Sequence, residues 1–107
     1  VWANTSPVVV HSFPASRYRS AKYVVQVRNS TLNAYEASEV LVIHNDTYAY
    51  RTQYNMISTL ANAAALGNIT VAISSGNVNL YYQGNSIGNQ VRVRADMLGN
   101  SDNWSPY

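Results

Sequence analysis

The chain has 107 residues, no cysteine, 11% charged residues and a formal net charge of +2. This length suits one domain with its own core, and the missing cysteine excludes a disulfide framework or a thiolate metal site. The chain has no run of Lys or Arg and no apolar stretch near the ~20 residues that span a bilayer, so we expect no nucleic-acid partner and no membrane span.

The sequence pattern divides the chain into two terminal segments and a folded middle part. We expect an extended N-terminal segment over residues 1–11, a folded module over residues 12–98 and a C-terminal tail over residues 99–107. Because the sequence begins with Val1 rather than Met, we interpret it as a processed chain or a piece of a longer one.

Alternation of apolar and polar residues predicts strands along most of the chain. In the first half, a short run of valines, Val8–Val10, predicts a strand before Pro14. Three longer segments also show the alternation: Arg17–Arg28, Tyr35–His44 and Tyr48–Met56. Within Tyr35–His44, the continuous apolar run from Val40 to Ile43 predicts a strand that is covered on both faces.

The second half begins with a stretch that is prone to form a helix, Leu60–Gly67, which we expect to make two turns at most. A hairpin then runs from Ile69 to Tyr82, and Gly76 and Asn77 supply residue types that tolerate positive φ in its loop. A final strand is predicted from Asn89 to Leu98.

These short strands predict an all-β fold, a small antiparallel β-sandwich of about 6–8 strands, because a single open sheet would leave an apolar face in water. The alternative is a small β-barrel. We predict the core from the inward positions of the strands, namely Val25, Val27, Leu41, Ile43, Val71, Ile73, Leu80, Val91 and Val93. On this basis Leu41→Ala or Ile73→Ala is expected to cost about 2–5 kcal/mol.

Residues with catalytic or metal-binding chemistry are few and scattered. His11 and His44 could form a metal or acid–base site with Asp46 or Glu39. Because the sequence has no third ligand at a recognisable spacing, we favour the interpretation that both are ordinary histidines at the ends of strands. Glu36 and Glu39 fall on opposite faces of one strand. We therefore expect no enzymatic activity, no catalytic residue, no metal and no cofactor.

Tyrosines and arginines supply the candidate contact residues. One interpretation is an aromatic and basic surface for a sugar or a partner chain, which the sequence offers at Tyr48, Tyr50, Tyr54, Tyr81, Tyr82, Arg92 and Arg94. The other is that the tyrosines pack at the edge of the core, with their hydroxyls reaching water. Tyr81 is the most suggestive of contact, because its neighbours Leu80 and Tyr82 occupy the other face of their strand.

Five asparagines begin N-x-Ser/Thr sequences: Asn4, Asn29, Asn45, Asn68 and Asn103. In a secreted eukaryotic protein they would indicate glycosylation, so a secreted glycoprotein domain is a further hypothesis. It requires glycan mass on Asn29, Asn45 or Asn68. With thirteen asparagines in the chain, several such sequences also arise by chance.

Four segments together resemble a β-sandwich module of virion structural proteins from marine tailed phages, especially cyanophages: residues 12–27, 35–46, 49–54 and 73–80. The sequence departs from that pattern in its tyrosine-rich strand, Tyr48–Met56, and in its alanine-rich stretch at 61–65. The resemblance implies a module of a tail-fibre, neck or capsid-surface protein, with no catalytic motif to carry over.

From the resemblance and the low charge we predict a non-enzymatic virion structural protein or module that packs in a symmetric assembly, as capsid decoration, neck or tail fibre. Its expected partners are other virion proteins and copies of itself. The terminal segments carry candidate assembly residues, Trp2, Val9, Trp104 and Tyr107. The alternative is a carbohydrate- or receptor-binding module at a fibre tip, with a host surface glycan as partner.

Overall fold

The computed structural model describes residues 1–60 and 66–100. In this part of the chain all regular structure is β, in eight strands: β1 Trp2–Ala3, β2 Val8–Pro14, β3 Tyr18–Asn29, β4 Ala34–His44, β5 Ala49–Ser58, β6 Gly67–Ser74, β7 Asn77–Gly84 and β8 Asn89–Gly99. Most of the helix that we predicted at Leu60–Gly67 lies outside the described residues, and Gly67 already begins β6.

The strands form two antiparallel sheets. One has five strands in the order β1-β8-β3-β4-β5, and the other has three in the order β2-β7-β6. The sheets enclose one hydrophobic core, which confirms the predicted β-sandwich. No helix within the described residues has the length and hydrophobicity needed to cross a membrane.

The long strand β3 lies at the centre of the five-stranded sheet, between β4 and β8. Its alternate residues from Ala21 to Asn29 are buried, as the period-2 pattern predicted. Tyr23 and Val25 face the core, whereas Lys22 and Gln26 point to the opposite, solvated side. We call the solvated side of this sheet its outer face.

The predicted core is partly right. Val25, Val27, Leu80 and Val91 are buried, whereas Val71, Ile73 and Val93 are half-buried against the core. The largest buried side chains also include three aromatic residues that the prediction left out: Phe13, Tyr23 and Tyr82.

The prediction was wrong for Leu41 and Ile43, whose side chains are 47% and 50% exposed. Their neighbours Val40 and Val42 are fully buried, so β4 has one covered face and one open face. The apolar run from Val40 to Ile43 therefore does not indicate two covered faces. It places apolar side chains on the outer face of the sheet.

Residues 1–11, which we predicted as an extended N-terminal segment, contribute strands to both sheets. Trp2 pairs with Gln90 of β8, and Val8 pairs with Tyr82 of β7. Ala3 and Phe13 each bury their side chains in the core. The sheets thus include residues on both sides of the 12–98 range, since β8 ends at Gly99.

The hairpin between β6 and β7 has the predicted register, with Ile69 opposite Tyr82 and Ile73 opposite Val78. Its turn lies one residue earlier than we predicted. Ser75 and Gly76, not Asn77, have positive φ angles, of 52° and 79°. Positive φ at both central residues is the geometry that a two-residue hairpin turn requires.

Candidate functional site

The outer face of the five-stranded sheet is the most distinctive surface of the molecule. Directly paired residues of neighbouring antiparallel strands project to the same side, so the strand register arranges this face in rows. From β8 across β3 and β4 to β5, two rows at one end of the face consist of Leu98, Ser20, Ile43 and Tyr50, and of Asp96, Lys22, Leu41 and Thr52.

Within these two rows Leu41, Ile43, Tyr50 and Leu98 form what we call the apolar region of the outer face, beside the charged residues Lys22 and Asp96. Leu41, Ile43 and Tyr50 surround a shallow recess of about 300 Å³, with Ser20 and Thr52 also on its wall. Leu98, at the β8 end of the row, is 71% exposed. Contiguous exposed apolar residues on a sheet are typical of a surface that contacts another protein.

The edge strand β5 contains a bulge that alters this face. Glu39 pairs with Tyr54 and Ala37 pairs with Ile57, so β5 has one residue more than β4 between these pairs. Asn55, within the bulge, has a φ of 52°. Strict alternation along β5 would place Met56 on the same face as Tyr54, but because of the extra residue Ile57 occupies that face and is 71% exposed.

The opposite end of the outer face is basic and aromatic. Its last row, from β1 to β4, consists of Trp2, Gln90, Arg28 and Tyr35. A recess of about 370 Å³ lies here. It is lined by Arg28, Tyr35 and Gln90 of this row, by Gln26 and Arg92 of the neighbouring row, and by Val1 and Val91. Arg28 donates a hydrogen bond through Nη2 to Oε1 of Gln90.

Charge on the outer face is unevenly distributed. Lys22 forms an ion pair with Glu39, with 3.6 Å between Nζ and Oε2. Arg92 pairs across the strands with Gln26, and Arg94 pairs with Val24, so neither has a carboxylate directly opposite on β3. The basic end of the face thus presents guanidinium groups beside amide and aromatic side chains, which suits an anionic or hydroxyl-rich partner.

The structure separates the predicted tyrosine contacts. Tyr50 and Tyr54 lie on the outer face of the five-stranded sheet, and Tyr48, in the turn before β5, is exposed. Tyr81 lies on the outer face of the other sheet, where its hydroxyl accepts a hydrogen bond from Asn79 at 3.2 Å. Tyr82 is buried in the core. The pairing of Tyr81 with Tyr82 as one contact surface is therefore wrong, since consecutive strand residues face opposite sides.

The terminal residues that we predicted for assembly also lie apart. Trp2 is 66% exposed on the outer face of the large sheet, whereas Val9 pairs with Tyr81 and is exposed on the small sheet. Trp104 and Tyr107 fall outside the described residues.

Both histidines take part in structural hydrogen bonds. His44 is buried, and its Nε2 donates to the Tyr18 carbonyl at 2.7 Å while its Nδ1 accepts from the Asp46 amide at 3.0 Å. Those partners fix the neutral Nε2–H tautomer. His11 Nδ1 lies 2.9 Å from the Tyr23 hydroxyl, and burial lowers the His11 pKa. Within residues 1–60 and 66–100, no cluster of three or more potential His, Asp or Glu ligands could hold a metal ion.

A buried polar network links the sheets at the basic end of the sandwich. Asn89 accepts a hydrogen bond from Asn29 at 2.9 Å and donates to the Leu66 carbonyl at 3.0 Å. The Leu66 amide donates to Glu36 at 3.0 Å. Burial raises the Glu36 pKa, and the Leu66 hydrogen bond partly opposes this shift. Burial, followed by the charge of Glu36, also raises the pKa of Tyr82.

Sequence reasoning did not detect this network, because each of its members has a common role in turns or on the surface. The buried Asn29 cannot carry a glycan in the folded chain, since its amide is hydrogen-bonded to Asn89.

The basic recess formed by Arg28, Gln26 and Tyr35 was also absent from the sequence-based predictions. The register of β3 against β4 would have been the signal, since it aligns Arg28 with Tyr35.

Comparison with known proteins gives a similarity of fold among solved structures. No protein-family model and no curated protein sequence matches the chain. Among solved structures, the fold is similar to part of the tailspike protein of the Acinetobacter phage vB_ApiP_P1, with a TM-score of 0.53 and 20% sequence identity. The similarity covers 92% of this chain and 21% of the tailspike chain. The chain thus spans about a fifth of the tailspike's length, and at this identity the similarity establishes a shared fold.

Proposed function

We propose that this chain is a structural module of a phage virion, of the tail-fibre or tailspike kind, and that it packs against other subunits through the outer face of its five-stranded sheet. The observation that carries the proposal is the two-sheet fold, which is similar to a part of a phage tailspike over nearly the whole chain. We propose a non-enzymatic role. A marine or cyanophage source, and a place at the neck or on the capsid, stay predictions.

The outer face supports packing as the means by which the module acts. Its apolar region exposes Leu41, Ile43 and Leu98 on a regular sheet surface. Burying such residues against a second subunit contributes about 25 cal/mol per Å² of apolar surface removed from water. We propose copies of this chain and other virion proteins as the partners.

The experiment is sedimentation velocity of the full chain beside two lysine variants. Ile43→Lys places a charge in the apolar region, whereas Ile87→Lys places the same charge on a loop residue that is 74% exposed. We expect the chain to self-associate at micromolar concentration, Ile43→Lys to shift it towards monomer, and Ile87→Lys to leave it unchanged. Equal behaviour of all three proteins would contradict packing through this face.

Location on the particle needs a separate measurement. An antibody against the chain, applied to particles of the phage that encodes it, is expected to label the tail in negative-stain microscopy. Label confined to material other than virions would overturn the virion assignment, even if the sedimentation result held.

The basic recess favours a second candidate function, the binding of a host surface glycan. Sugar rings stack on aromatic side chains while amide and guanidinium groups bond their hydroxyls and acidic substituents. Tyr35, Gln26 and Arg92 offer these groups around one recess. We expect binding to acidic oligosaccharides on a glycan array, lost in Tyr35→Ala and kept in Tyr48→Ala, whose tyrosine is exposed away from the recess. Binding that survives Tyr35→Ala and Arg92→Gln would reject this site.

A further inference from the structure

Within the described residues, most of one edge of β8 has no partner strand. On one side β8 pairs with β3 from Asn89 to Gly99. On the other side, among the described residues, it pairs with β1 alone, whose ladder covers Asn89 and Gln90 and ends with the hydrogen bonds between Val1 and Val91. From Arg92 to Gly99, no strand of the described chain pairs with this side of β8.

The hydrogen bonds of Val91 reveal which groups point out of this edge. The Val91 amide donates to the Val1 carbonyl at 2.8 Å, and the Val1 ammonium donates to the Val91 carbonyl at 2.9 Å. In an antiparallel sheet, every second residue directs its N–H and C=O to the same neighbour. Val93, Ala95 and Met97 therefore direct theirs away from β3, along the line that β1 follows.

We propose that this open edge binds an extended segment of another polypeptide, antiparallel to β8 and in line with β1, with acidic side chains opposite Arg92 and Arg94. The inference does not depend on the proposed packing of the outer face.

The side chains along β8 define that chemistry. Val93, Ala95 and Met97 are half-buried at the rim of the core, so the residues opposite them would complete an apolar layer. Arg92 and Arg94 are exposed on the outer face and have Gln26 and Val24, rather than carboxylates, opposite them on β3. Acidic residues at those two cross-strand positions would give charge pairs of the kind that favour one partner and one register.

The edge is also regular enough to receive a strand. The pairing of β8 with β3 is continuous from Asn89 to Leu98, and its register shift lies beyond this range. Proteins commonly protect such edges with prolines, bulges or charged side chains. Residues 92–99 contain no proline or bulge, and their charged residues, Arg92, Arg94 and Asp96, are the ones that would pair with opposite charges on an added strand.

The test extends the full chain by seven residues, LVKVEVE, placed directly before Val1. In the register of β1, the two glutamates fall opposite Arg92 and Arg94, the lysine falls opposite Asp96, and the valines fall opposite Val93, Ala95 and Met97. Joining the segment to the chain gives it a high effective concentration. Two matched controls have the charges exchanged (LVEVKVK) or a proline opposite Ala95 (LVKPEVE).

Amide hydrogen exchange gives the readout. In the chain without an extension, the amides of Val93, Ala95 and Met97 should exchange fast, whereas those of Arg92, Arg94 and Asp96, which face β3, should exchange slowly. The LVKVEVE extension is expected to slow the first set by at least about tenfold, and either control to slow it less.

Four results would overturn the proposal. Amides of Val93, Ala95 and Met97 that are already slow at every concentration would mean that this chain's own residues occupy the edge. Slowing that appears only at high concentration would mean that a second copy does. No slowing with LVKVEVE would show that the edge does not accept a strand, and equal slowing with LVEVKVK would reject an acidic partner.

Discussion

The two faces of β4 allow a direct test of the architecture, because one strand carries buried and exposed aliphatic residues side by side. Val42 is fully buried, and Leu41, its neighbour, is about half exposed on the outer face. We expect Val42→Ala to destabilise the fold considerably more than Leu41→Ala, although the leucine substitution removes more carbon atoms.

The magnitudes follow from burial. Val42→Ala removes two buried methyl groups, at about 0.8 kcal/mol each, and leaves a cavity of about 40 Å³ that adds about 1 kcal/mol, so the total is about 2.5 kcal/mol. Leu41→Ala trims a half-exposed side chain and creates no enclosed cavity, so its cost is about 1 kcal/mol. At about 4 °C per kcal/mol, the expected falls in Tm are about 10 °C and about 4 °C.

Thermal unfolding monitored by circular dichroism at low protein concentration measures both values. Val24→Ala is the matched control, because Val24 is a half-buried valine of β3 on the outer face. It should resemble Leu41→Ala rather than Val42→Ala. If Leu41→Ala proved as damaging as Val42→Ala, the outer face would have to be covered, and our assignment of the two faces would be refuted.

Three further predictions concern buried groups. The pKa of Glu36 is raised in the folded state, so ionisation of this residue should lower the stability of the fold as the pH rises from about 4.5 through the folded pKa. Glu36→Gln should remove this loss of stability in melts recorded between pH 4 and 8. The folded His11 pKa is lowered, so stability should fall as the pH drops from 6.5 through the folded pKa, and a neutral His11→Gln variant should lack this loss in the same melts. A Cβ at Gly67 would lie 2.4 Å from the Gln83 carbonyl oxygen, so Gly67→Ala should lower Tm by more than about 10 °C, and a Tm equal to that of the unchanged chain would contradict the close approach of β6 and β7.

The local patterns of the sequence predicted the fold class because they depend on one physical rule, the alternation of strand side chains. The long strand from Tyr18 to Asn29 and the hairpin from Gly67 to Gly84 follow it closely. The rule says which side chains share a face, but it does not say whether that face is covered. The apolar run from Val40 to Ile43 predicted two covered faces and so placed Leu41 and Ile43 in the core, but the second sheet covers the other face and leaves both exposed.

The candidate site was harder to predict, because it arises from residues that are far apart in the sequence. Trp2, Arg28 and Arg92 come together through the pairing of β1, β8 and β3. Bulges add a second difficulty, since the extra residue at Asn55 moves Ile57 to the outer face. Neither effect leaves a signal in a short window of sequence, whereas the separation of Tyr81 from Tyr82 follows from strand geometry alone.

The outer face and the open edge meet on β8, and this gives the two proposals a physical connection. A strand added beside β8 would place alternate side chains on the outer face, about 4.8 Å beyond Arg92 and Arg94. The face would become wider without any change in the apolar region around Leu41 and Ile43. A partner held by backbone hydrogen bonds at the edge and a subunit packed on the face therefore need not compete for the same surface. In a virion assembly, one module with this arrangement would contact two different neighbours at once.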